Sequence, residues 1–372
     1  MEYKLEDICL KITDGSHYSP IADINGNIPM LSVKDMEEFD FNYNNCKHIS
    51  EEEYDKMLRT DCVPKLYDVL VAKDGSYLKE IFVNEEENKK AILSSIAIFR
   101  PNLEMVDPYF LCYLLKTPMI LNYVKDNCVS GSALPRIILR AFKNIKLTIP
   151  ELKIQRKIVR IIKSINTKIR INNEINNNLY EEAVALYKDK FKGIGQGKKT
   201  IGDYIVPKRG KNLLTRDAID GDTPVVAGGI APSAYHNQFN TKSPVITISA
   251  SGANAGYTNL WAIPVWASDC SYIDDSITKN VYFWYIVLKT RQNEIFDAQT
   301  GSAQPHIYPQ HIAEMSIGEL DIAKVEKYNN LVAPLFKMIG ENQKENKKLS
   351  QLRDTLLPKL MNGEIDLDNI ES

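Results

Sequence analysis

The sequence predicts an α+β protein in which two similar mixed α/β domains are separated by two long helices that pair antiparallel. Three observations support this fold class. Residues 150–191 contain no proline or glycine after Pro150 and keep a helical period throughout. A second helical stretch begins at Asp321. Short motifs also recur between the two halves of the chain at a nearly constant spacing, which indicates an internal duplication.

The duplication is visible in a loop motif and in the long helices. The segment VSGSALPRI at 129–137 corresponds to QTGSAQPHI at 299–307, which lies 170 residues later. At the same spacing, INTKIRINNEINNNL at 165–179 corresponds to LFKMIGENQKENKKL at 335–349. The chain is therefore a globular unit followed by a helix, present twice, with pseudo-twofold internal symmetry.

The first helix carries a heptad pattern, which predicts a partner helix because a seam of this kind buries its apolar positions against another helix. The second helix supplies matching positions. The residues expected to pair the helices are Ile158, Ile161, Ile165, Asn172, Leu179, Leu331, Leu335, Asn342, Leu349 and Leu352. We expect Asn172 and Asn342 to lie near the pseudo-twofold centre, since a polar residue in such a seam fixes register. Pro334 and Gly340 are expected to interrupt the second helix.

The predicted boundaries divide the chain into four segments: a first globular domain at 1–150, a first helical region at 151–193, a second globular domain at 194–320, and a second helical region with the C-terminal tail at 321–372. In the first domain, strands are expected at 67–75 and 94–101 and helices at 51–58 and 109–124. In the second domain, strands are expected at 244–249 and 265–273.

Length and composition limit the protein class. A chain of 372 residues is long enough for two or three domains with their own cores. The longest apolar run, 281–288, is far shorter than a membrane helix requires, and the charged start MEYKLEDI does not resemble a signal peptide. The six cysteines contain no CxxC pair, which argues against a zinc site or a disulfide framework. A reducing cytoplasm is the expected location.

The charge distribution is uneven. The formal net charge of −2 argues, taken alone, against a nucleic-acid partner. Residues 151–200, however, contain 12 basic and 5 acidic residues, whereas residues 1–150 contain 18 basic and 23 acidic ones. The positive charge thus lies on the first helix, where it indicates either a solvated helix face or a contact with an acidic partner.

No catalytic motif is present. The sequence contains no phosphate-binding P-loop, no GxGxxG after a strand, no HExxH and no GxSxG. The five histidines are scattered, and none of them pairs with another at a spacing typical of metal ligands. The sequence therefore favours a protein that binds over one that catalyses.

Polar loops flanked by glycine occur at matching places in the two halves. These loops are 13–20, 73–79 and 130–136 in the first half, and 207–211, 249–256 and 300–306 in the second. Glycine allows close approach to phosphate, and Ser, Asn, Gln, Arg and Lys are the side chains that contact base edges. Each loop taken singly is also explained as an ordinary turn. The recurrence of GSAxP with different residues after it favours two readers of different DNA sequences.

The predicted DNA-binding residues come from these loops. Arg136 suits a bidentate contact with guanine, and Asn254 or Gln304 suits adenine, whereas Lys211 is expected to contact phosphate. The full set is Ser76, Tyr77, Lys79, Ser132, Arg136, Lys208, Arg209, Lys211, Asn254, Gln304 and His306. An alternative for Arg136 is an ion pair with an acidic neighbour that only supports its loop.

The ordered motifs resemble the specificity subunit of type I restriction-modification systems. The resemblance is carried by LEDI and DGSHYSP near the start, YDVLVAKDG, GSALPRI with GSAQPHI, IPELKIQRKIV at the first helix, and LSQLRDTLLPKLMNGEIDL near the C-terminus. Its motifs extend over nearly all of the chain. The second helix departs from the pattern, because Val325 stands at the place that corresponds to Gln155.

This resemblance implies a non-catalytic scaffold that reads a split site in double-stranded DNA, one half per domain. It also implies two methyltransferase (modification) subunits and restriction subunits as partners, with S-adenosylmethionine, ATP and Mg²⁺ on those partners, and no cofactor or metal in this chain. Two other interpretations stay open at this point. The chain could be a self-contained site-specific methyltransferase or nuclease with an unrecognised motif, or a coiled-coil scaffold without a DNA role.

Overall fold

The structure is a computed structural model that describes residues 2–75, 77–131, 135–301 and 304–367. It forms two compact units. Unit 1 comprises 1–170 and 348–372, and unit 2 comprises 171–347. Each unit therefore combines one α+β domain with one part of each long helix. The predicted fold class and the internal repeat are confirmed, whereas the four segment boundaries derived from the sequence stay a prediction.

Unit 1 contains a four-stranded antiparallel sheet in the order β2-β8-β5-β6 and a three-stranded mixed sheet in the order β4-β3-β7. Two further strand pairs are β1 with β11 and β9 with β10. The strands are β1 (Glu2–Lys4), β2 (Cys9–Asp14), β3 (Ile28–Leu31), β4 (Lys47–Ile49), β5 (Val69–Ala72), β6 (Ile81–Val83), β7 (Ala91–Ile92), β8 (Ile96–Pro101), β9 (Val129–Ser130), β10 (Arg136–Ile137) and β11 (Lys146–Thr148).

Four helices complete the domain of unit 1, and the first long helix follows them. The four helices are α1 (Glu51–Arg59), α2 (Pro108–Leu115), α3 (Pro118–Asn127) and α4 (Leu139–Lys143). The first long helix is α5 (Leu152–Lys190). The helix expected at 109–124 is two helices, because Pro118 starts a new helix at its first position, where its missing N–H costs nothing.

Unit 2 repeats the sheet topology. Its four-stranded sheet has the order β13-β19-β16-β17, and its three-stranded sheet, β15-β14-β18, again contains one antiparallel and one parallel pairing. The strands are β12 (Lys199–Thr200), β13 (Lys208–Arg209), β14 (Thr223–Val226), β15 (Ala234–His236), β16 (Val245–Ser249), β17 (Thr258–Trp261), β18 (Trp266–Ala267), β19 (Cys270–Asp274) and β20 (Ser316–Ile317). The strand expected at 265–273 is thus two strands that belong to different sheets.

The helices of unit 2 are shorter, except for the second long helix. They are α6 (Val281–Thr290), α7 (Gln292–Asp297), α8 (Pro309–Ala313) and the long α9 (Ile322–Met361). Short 3₁₀ turns at Leu5–Ile8 and Ile201–Asp203 occupy matching places in the two units. No helix in the described part of the chain is long and apolar enough to span a membrane.

The long helices run antiparallel within each unit. In unit 2, the Asn172 side chain donates to Asn346 over 2.8 Å, and Asn342 donates to Asn176 over 2.8 Å, so the partner number falls as the α5 number rises. In unit 1, Arg353 of α9 donates to Asn166 of α5 over 3.2 Å. Asn172 is 1% exposed, and both predicted seam asparagines take part in this hydrogen-bonded ladder.

The apolar seam differs in part from the predicted one. Ile158 and Ile165 are buried, and Ile161, Leu179, Leu335, Asn342 and Leu349 are half-buried. The prediction is wrong at Leu331 and Leu352, whose side chains are 49% and 48% exposed. The buried residues on this part of α9 are instead Tyr328, Val332 and Phe336. These residues pack into the domain core of unit 2. The buried face of α9 here therefore does not follow the heptad positions predicted from the sequence.

Each long helix is joined to its domain by an amide side chain that satisfies backbone groups near the start of a domain helix. In unit 1, Gln155 of α5 accepts from the N–H of Asp107 over 2.9 Å and donates to the carbonyl of Met105 over 3.0 Å. In unit 2, Asn329 of α9 accepts from the N–H groups of Tyr282 and Phe283 over 3.1 and 3.2 Å. Asn329 therefore performs, one helical turn after Val325, the role that Gln155 performs in unit 1.

The expected interruption of α9 at Pro334 and Gly340 is wrong, because the helix continues through both residues. Pro334 is exposed, and its lost hydrogen bond is offset by the burial of Val332 and Phe336 on either side. Gly340 has a packing role. A Cβ atom at this position would lie 2.4 Å from the Cβ atom of Ala262, so glycine is what allows the loop of unit 2 to approach the helix.

This contact gives a stability test. Alanine is a better helix former than glycine by about 1 kcal/mol, yet we expect Gly340→Ala to lower the melting temperature, because the new methyl group overlaps with Ala262. Adding Ala262→Gly should restore the melting temperature, since it removes the overlapping methyl group. Thermal unfolding of the two single variants and the double variant measures this. A melting temperature of Gly340→Ala equal to or above that of the unchanged protein would contradict the packing explanation.

Candidate nucleic-acid interface

Two of the three polar loops of unit 1 are joined by backbone hydrogen bonds. The N–H of Gly75 donates to the carbonyl of Pro135 over 2.8 Å, and the N–H of Ile137 donates to the carbonyl of Lys73 over 3.0 Å. Asp74 and Arg136 form an antiparallel β-bridge. We call loops 13–20, 73–79 and 130–136 the unit 1 loop cluster. Ser76 and Ser132, two predicted DNA-binding residues, lie outside the described residues.

The third loop of the unit 1 loop cluster is attached by an ion pair. The Lys73 ammonium contacts the Asp14 carboxylate, and these side chains are only 9% and 12% exposed. The Nε2 atom of His17 lies 2.9 Å from the other carboxylate oxygen of Asp14. Because a buried charge needs a partner, this pair fixes the end of β2 against the loop after β5.

Arg136 lies at the surface of the unit 1 loop cluster. Its side chain is 61% exposed, and its Nε atom lies 3.6 Å from the Oδ2 atom of Asp74. The Oδ1 atom of Asp74 is buried and has no hydrogen-bond partner among the described residues. An exposed ion pair at this distance contributes little to stability, so the guanidinium keeps donors for a ligand. Lys79 is 71% exposed, and Tyr77 packs partly against the domain core.

Unit 2 repeats the backbone arrangement of these loops. The N–H of Gly252 donates to the carbonyl of Pro305 over 3.1 Å, the N–H of Ile307 donates to the carbonyl of Ala250 over 2.9 Å, and Ser251 forms a β-bridge with His306. We call loops 207–211, 249–256 and 300–306 the unit 2 loop cluster. Gly252, Ile307 and Ser251 thus make the same backbone contacts in unit 2 that Gly75, Ile137 and Asp74, respectively, make in unit 1.

A glycine closes the third loop in both units. A Cβ atom on Gly15 would lie 2.3 Å from the carbonyl oxygen of Ile92, and one on Gly210 would lie 2.3 Å from that of Ser268. The residues before these glycines are Asp14 and Arg209, which carry opposite charges. The two units therefore place a carboxylate and a guanidinium at equivalent points of the same backbone.

The charge inversion extends to the partners of these residues. Arg209 donates to Asp269 over 2.5 Å, and Ser251 donates to the same carboxylate. In unit 1 the residue at the position of Arg209 is the carboxylate Asp14, and its ion-pair partner is a cation, Lys73. The prediction from sequence included Arg209 but missed Asp14, Lys73 and Asp269. The first two stood inside predicted loops, so a search for paired charges within them would have found both.

The other predicted residues of unit 2 are placed at or near the surface. Lys208, Lys211, Asn254 and Gln304 are exposed, and His306 is half-buried with its ring stacked on Tyr308 at 6.0 Å. The structure brings Arg209, His306 and the loop containing Asn254 into one cluster through Ser251. The assignment of individual residues to DNA contacts stays a prediction.

The described residues contain no cluster of candidate metal ligands, and the cysteine beside the unit 2 loop cluster has a protonated thiol. No group of three or more His, Cys, Asp or Glu side chains among them is arranged to hold a metal ion. The nearest cysteine to the unit 2 loop cluster is Cys270, and burial raises the pKa of its thiol to about 12. At neutral pH this thiol is protonated and therefore a poor nucleophile.

Comparison with known proteins agrees with this picture. A family model described as the type I restriction modification DNA specificity domain matches residues 1–181, which contain the whole unit 1 loop cluster. The specificity subunit of the type I restriction enzyme MjaIX of Methanocaldococcus jannaschii is 25% identical over 302 residues, which cover 70% of each chain. The HindI specificity subunit of Haemophilus influenzae is 29% identical over 163 residues, which are 43% of this chain and 35% of that one.

A solved structure agrees in fold. The S subunit of a type I restriction-modification system from Mycoplasma genitalium superposes with a TM-score of 0.55 at 16% sequence identity, over 97% of this chain and 95% of that chain. The sequence relatives and the family model point to the same group of proteins. These matches make the chain similar to type I restriction-modification specificity subunits, through the family model over residues 1–181 and through a relative aligned over 70% of the chain.

Proposed function

We propose that this chain reads a bipartite site in double-stranded DNA, with one short sequence contacted by each loop cluster, and that it is not catalytic by itself. It acts as the scaffold on which two modification subunits assemble, and restriction subunits complete the complex. S-adenosylmethionine, ATP and Mg²⁺ bind to those partner subunits and not to this chain. The alternatives of a self-contained enzyme and of a coiled-coil scaffold without DNA find no specific support in the described residues.

The observation that carries this proposal is the repeated loop backbone with changed side chains. Arg136 in unit 1 corresponds to His306 in unit 2, and Asp14 corresponds to Arg209. A purely structural loop pair would be expected to keep the residues that stabilise it. Two readers of different base sequences would keep the backbone and change the side chains that meet the bases, which is the pattern found here.

The side chains suit different bases. Arg136 offers two parallel N–H donors to the O6 and N7 atoms of guanine, and Asn254 or Gln304 offers a donor and an acceptor to adenine. The exposed lysines Lys208 and Lys211 suit phosphate oxygens, which position the protein without reading sequence. The difference between the clusters therefore predicts two unlike half-sites and an asymmetric target.

The low net charge is compatible with DNA binding in a complex. Phosphate contacts supply most of the non-specific affinity of DNA-binding proteins, and they need basic residues. This chain has a formal net charge of −2, with an excess of basic residues only in 151–200. Within the proposed complex, partner subunits supply much of the phosphate contact, while this chain supplies the base contacts.

Arg136→Ala tests direct reading by unit 1. Loss of a bidentate contact with guanine should cost roughly 1–3 kcal/mol of binding free energy and relax one position of the target. Lys211→Ala is the comparison, since loss of a phosphate contact should weaken all sequences alike and flatten the salt dependence. Binding to a library of target variants at several salt concentrations measures both. An unchanged target together with reduced thermal stability would mean that Arg136 only supports its loop.

Exchange of residues 1–150 for the corresponding domain of another specificity subunit tests bipartite reading. We expect one half of the methylated sequence to change and the other half to stay, because each loop cluster is built within its own unit. Methylome sequencing of cells that carry the original or the exchanged gene, with the same modification subunit, gives the result. A change in both halves would show that the two loop clusters do not read independently.

The purified chain alone tests the proposed division of labour. With S-adenosylmethionine, Mg²⁺ and target DNA, we expect no methyl transfer and no cleavage, and we expect methyl transfer after the modification subunit is added. Radiolabelled methyl incorporation into DNA measures this. Incorporation without any partner would contradict the proposal and favour the self-contained enzyme.

A further inference from the structure

An isoleucine stands exposed at the same turn of both units. Ile24 is 99% exposed and Ile219 is 58% exposed. Each lies in the turn between the glycine-closed loop and the first strand of the three-stranded sheet, and the two are 195 residues apart. The same spacing relates Gly26 to Gly221 in these turns. The turn and its exposed apolar residue are thus part of the internal repeat.

Both turns are fixed in place by close backbone contact. A Cβ atom on Gly26 would lie 2.5 Å from the carbonyl oxygen of Ile49, and one on Gly221 would lie 2.5 Å from that of His236. The N–H of Asp23 also donates to the carbonyl of His48 over 2.9 Å, and the N–H of Ile219 donates to the Nδ1 atom of His236 over 3.0 Å. The isoleucines are therefore presented on turns held against an edge strand of the sheet.

Intramolecular packing does not explain why isoleucine recurs here. A fully exposed isoleucine such as Ile24 gains nothing from burial within its own unit and leaves its whole apolar surface in water. The residues of the loop clusters changed between the units, as at Arg136 and His306, whereas this exposed residue did not. A surface that differs between repeats suits different ligands, and a surface that is retained suits the same ligand twice.

Charge identifies the kind of ligand. The charged residues within two positions of either isoleucine are all acidic, namely Asp23 beside Ile24 and Asp217 and Asp220 beside Ile219. The wider segment 18–56 around Ile24 contains nine acidic and three basic residues, and the equivalent segment 213–251 around Ile219 contains three acidic and two basic residues. Such surroundings repel phosphate and favour a protein surface with an apolar pocket and basic residues at its rim.

The position of the turns identifies the partner within the proposed complex. In unit 1 the exposed turn follows directly on the unit 1 loop cluster, where the Ser16 hydroxyl donates to the carbonyl of Tyr18 over 2.7 Å. A subunit that modifies a base within a half-site has to approach DNA held at that cluster. A modification subunit bound there would lie beside the turn that carries Ile24.

We propose that Ile24 and Ile219 are equivalent apolar anchors, each of which inserts into an apolar pocket with a basic rim on one of two copies of the modification subunit. This inference rests on the proposed function, because it takes the modification subunit as the partner. Beyond the proposed function, it assigns one contact site for the modification subunit to each of the two α+β domains.

The test uses the full chain with purified modification subunit. We expect the unchanged protein to bind two copies, Ile24→Asp to weaken one of the two binding steps roughly tenfold or more, and Ile219→Asp to weaken the other. The double variant should weaken both. Titration followed by sedimentation velocity gives stoichiometry and affinity. The matched control is Ile230→Asp, an isoleucine of comparable exposure, 59%, outside the repeated turn, which should leave both steps unchanged.

DNA affinity is then measured with modification subunit in excess, so that assembly no longer limits binding. Unchanged DNA affinity in the Ile24→Asp and Ile219→Asp variants supports the proposal. Loss of DNA affinity under these conditions, with normal subunit binding, would show that the turns touch DNA and would overturn it. Normal subunit binding and normal DNA affinity in both variants would also overturn it while leaving the proposed function intact. An unchanged protein that binds no modification subunit would overturn the proposed function as well.

Discussion

A single backbone β-bridge in each unit holds together two loops that are far apart in the sequence. It joins Asp74 to Arg136 in unit 1 and Ser251 to His306 in unit 2. Because the bridge and its flanking hydrogen bonds use N–H and carbonyl groups, they do not depend on the side chains at these positions. The arrangement of the loops is thus set by main-chain groups, while the side chains at the bridge can vary. This separation allows one fold to carry an arginine in one unit and a histidine in the other without a change of architecture.

The surface of each domain has two kinds of positions. At the loop clusters, charge and hydrogen-bonding groups differ between the units, as shown by Asp14 and Arg209 at the same point of the backbone. At the turns that follow, an exposed isoleucine is kept. A duplicated protein that meets two different DNA sequences but two copies of the same protein should show this division. Because the two units share one backbone arrangement, comparing their residues at equivalent positions shows which surface positions are kept and which differ.

Local sequence patterns predicted much of the fold and less of the candidate site. The long helices were predictable because each carries a helical apolar period over many turns, and the continuity of α9 was misjudged at Pro334 and Gly340, where tertiary contacts override local preference. The seam was displaced at Leu331 because the domain core competes for the neighbouring residues Val332 and Phe336. In the loop clusters, residue types suggested Arg136 and Arg209 as candidates, which stay predictions. The contacts of Asp14 with Lys73 and of Arg209 with Asp269 depend on long-range pairing that a local pattern does not contain.

The joint between Gln155 and the domain of unit 1 has a consequence for which domains the long helix can carry. The Gln155 amide is bonded to the N–H of Asp107 and to the carbonyls of Met105 and Pro150, all of which are main-chain groups. The Gln155 joint itself is therefore independent of the domain's side chains, whereas Ile158, Val159 and Ile162 of the same helix pack into the core of unit 1. A domain exchanged at the start of α5 would keep the Gln155 joint if its local backbone were the same, but its core would also have to fit the apolar face of α5. The hydrogen bonds of Gln155 thus fix where the domain meets the helix, and the apolar face of α5 determines which domain cores fit against it.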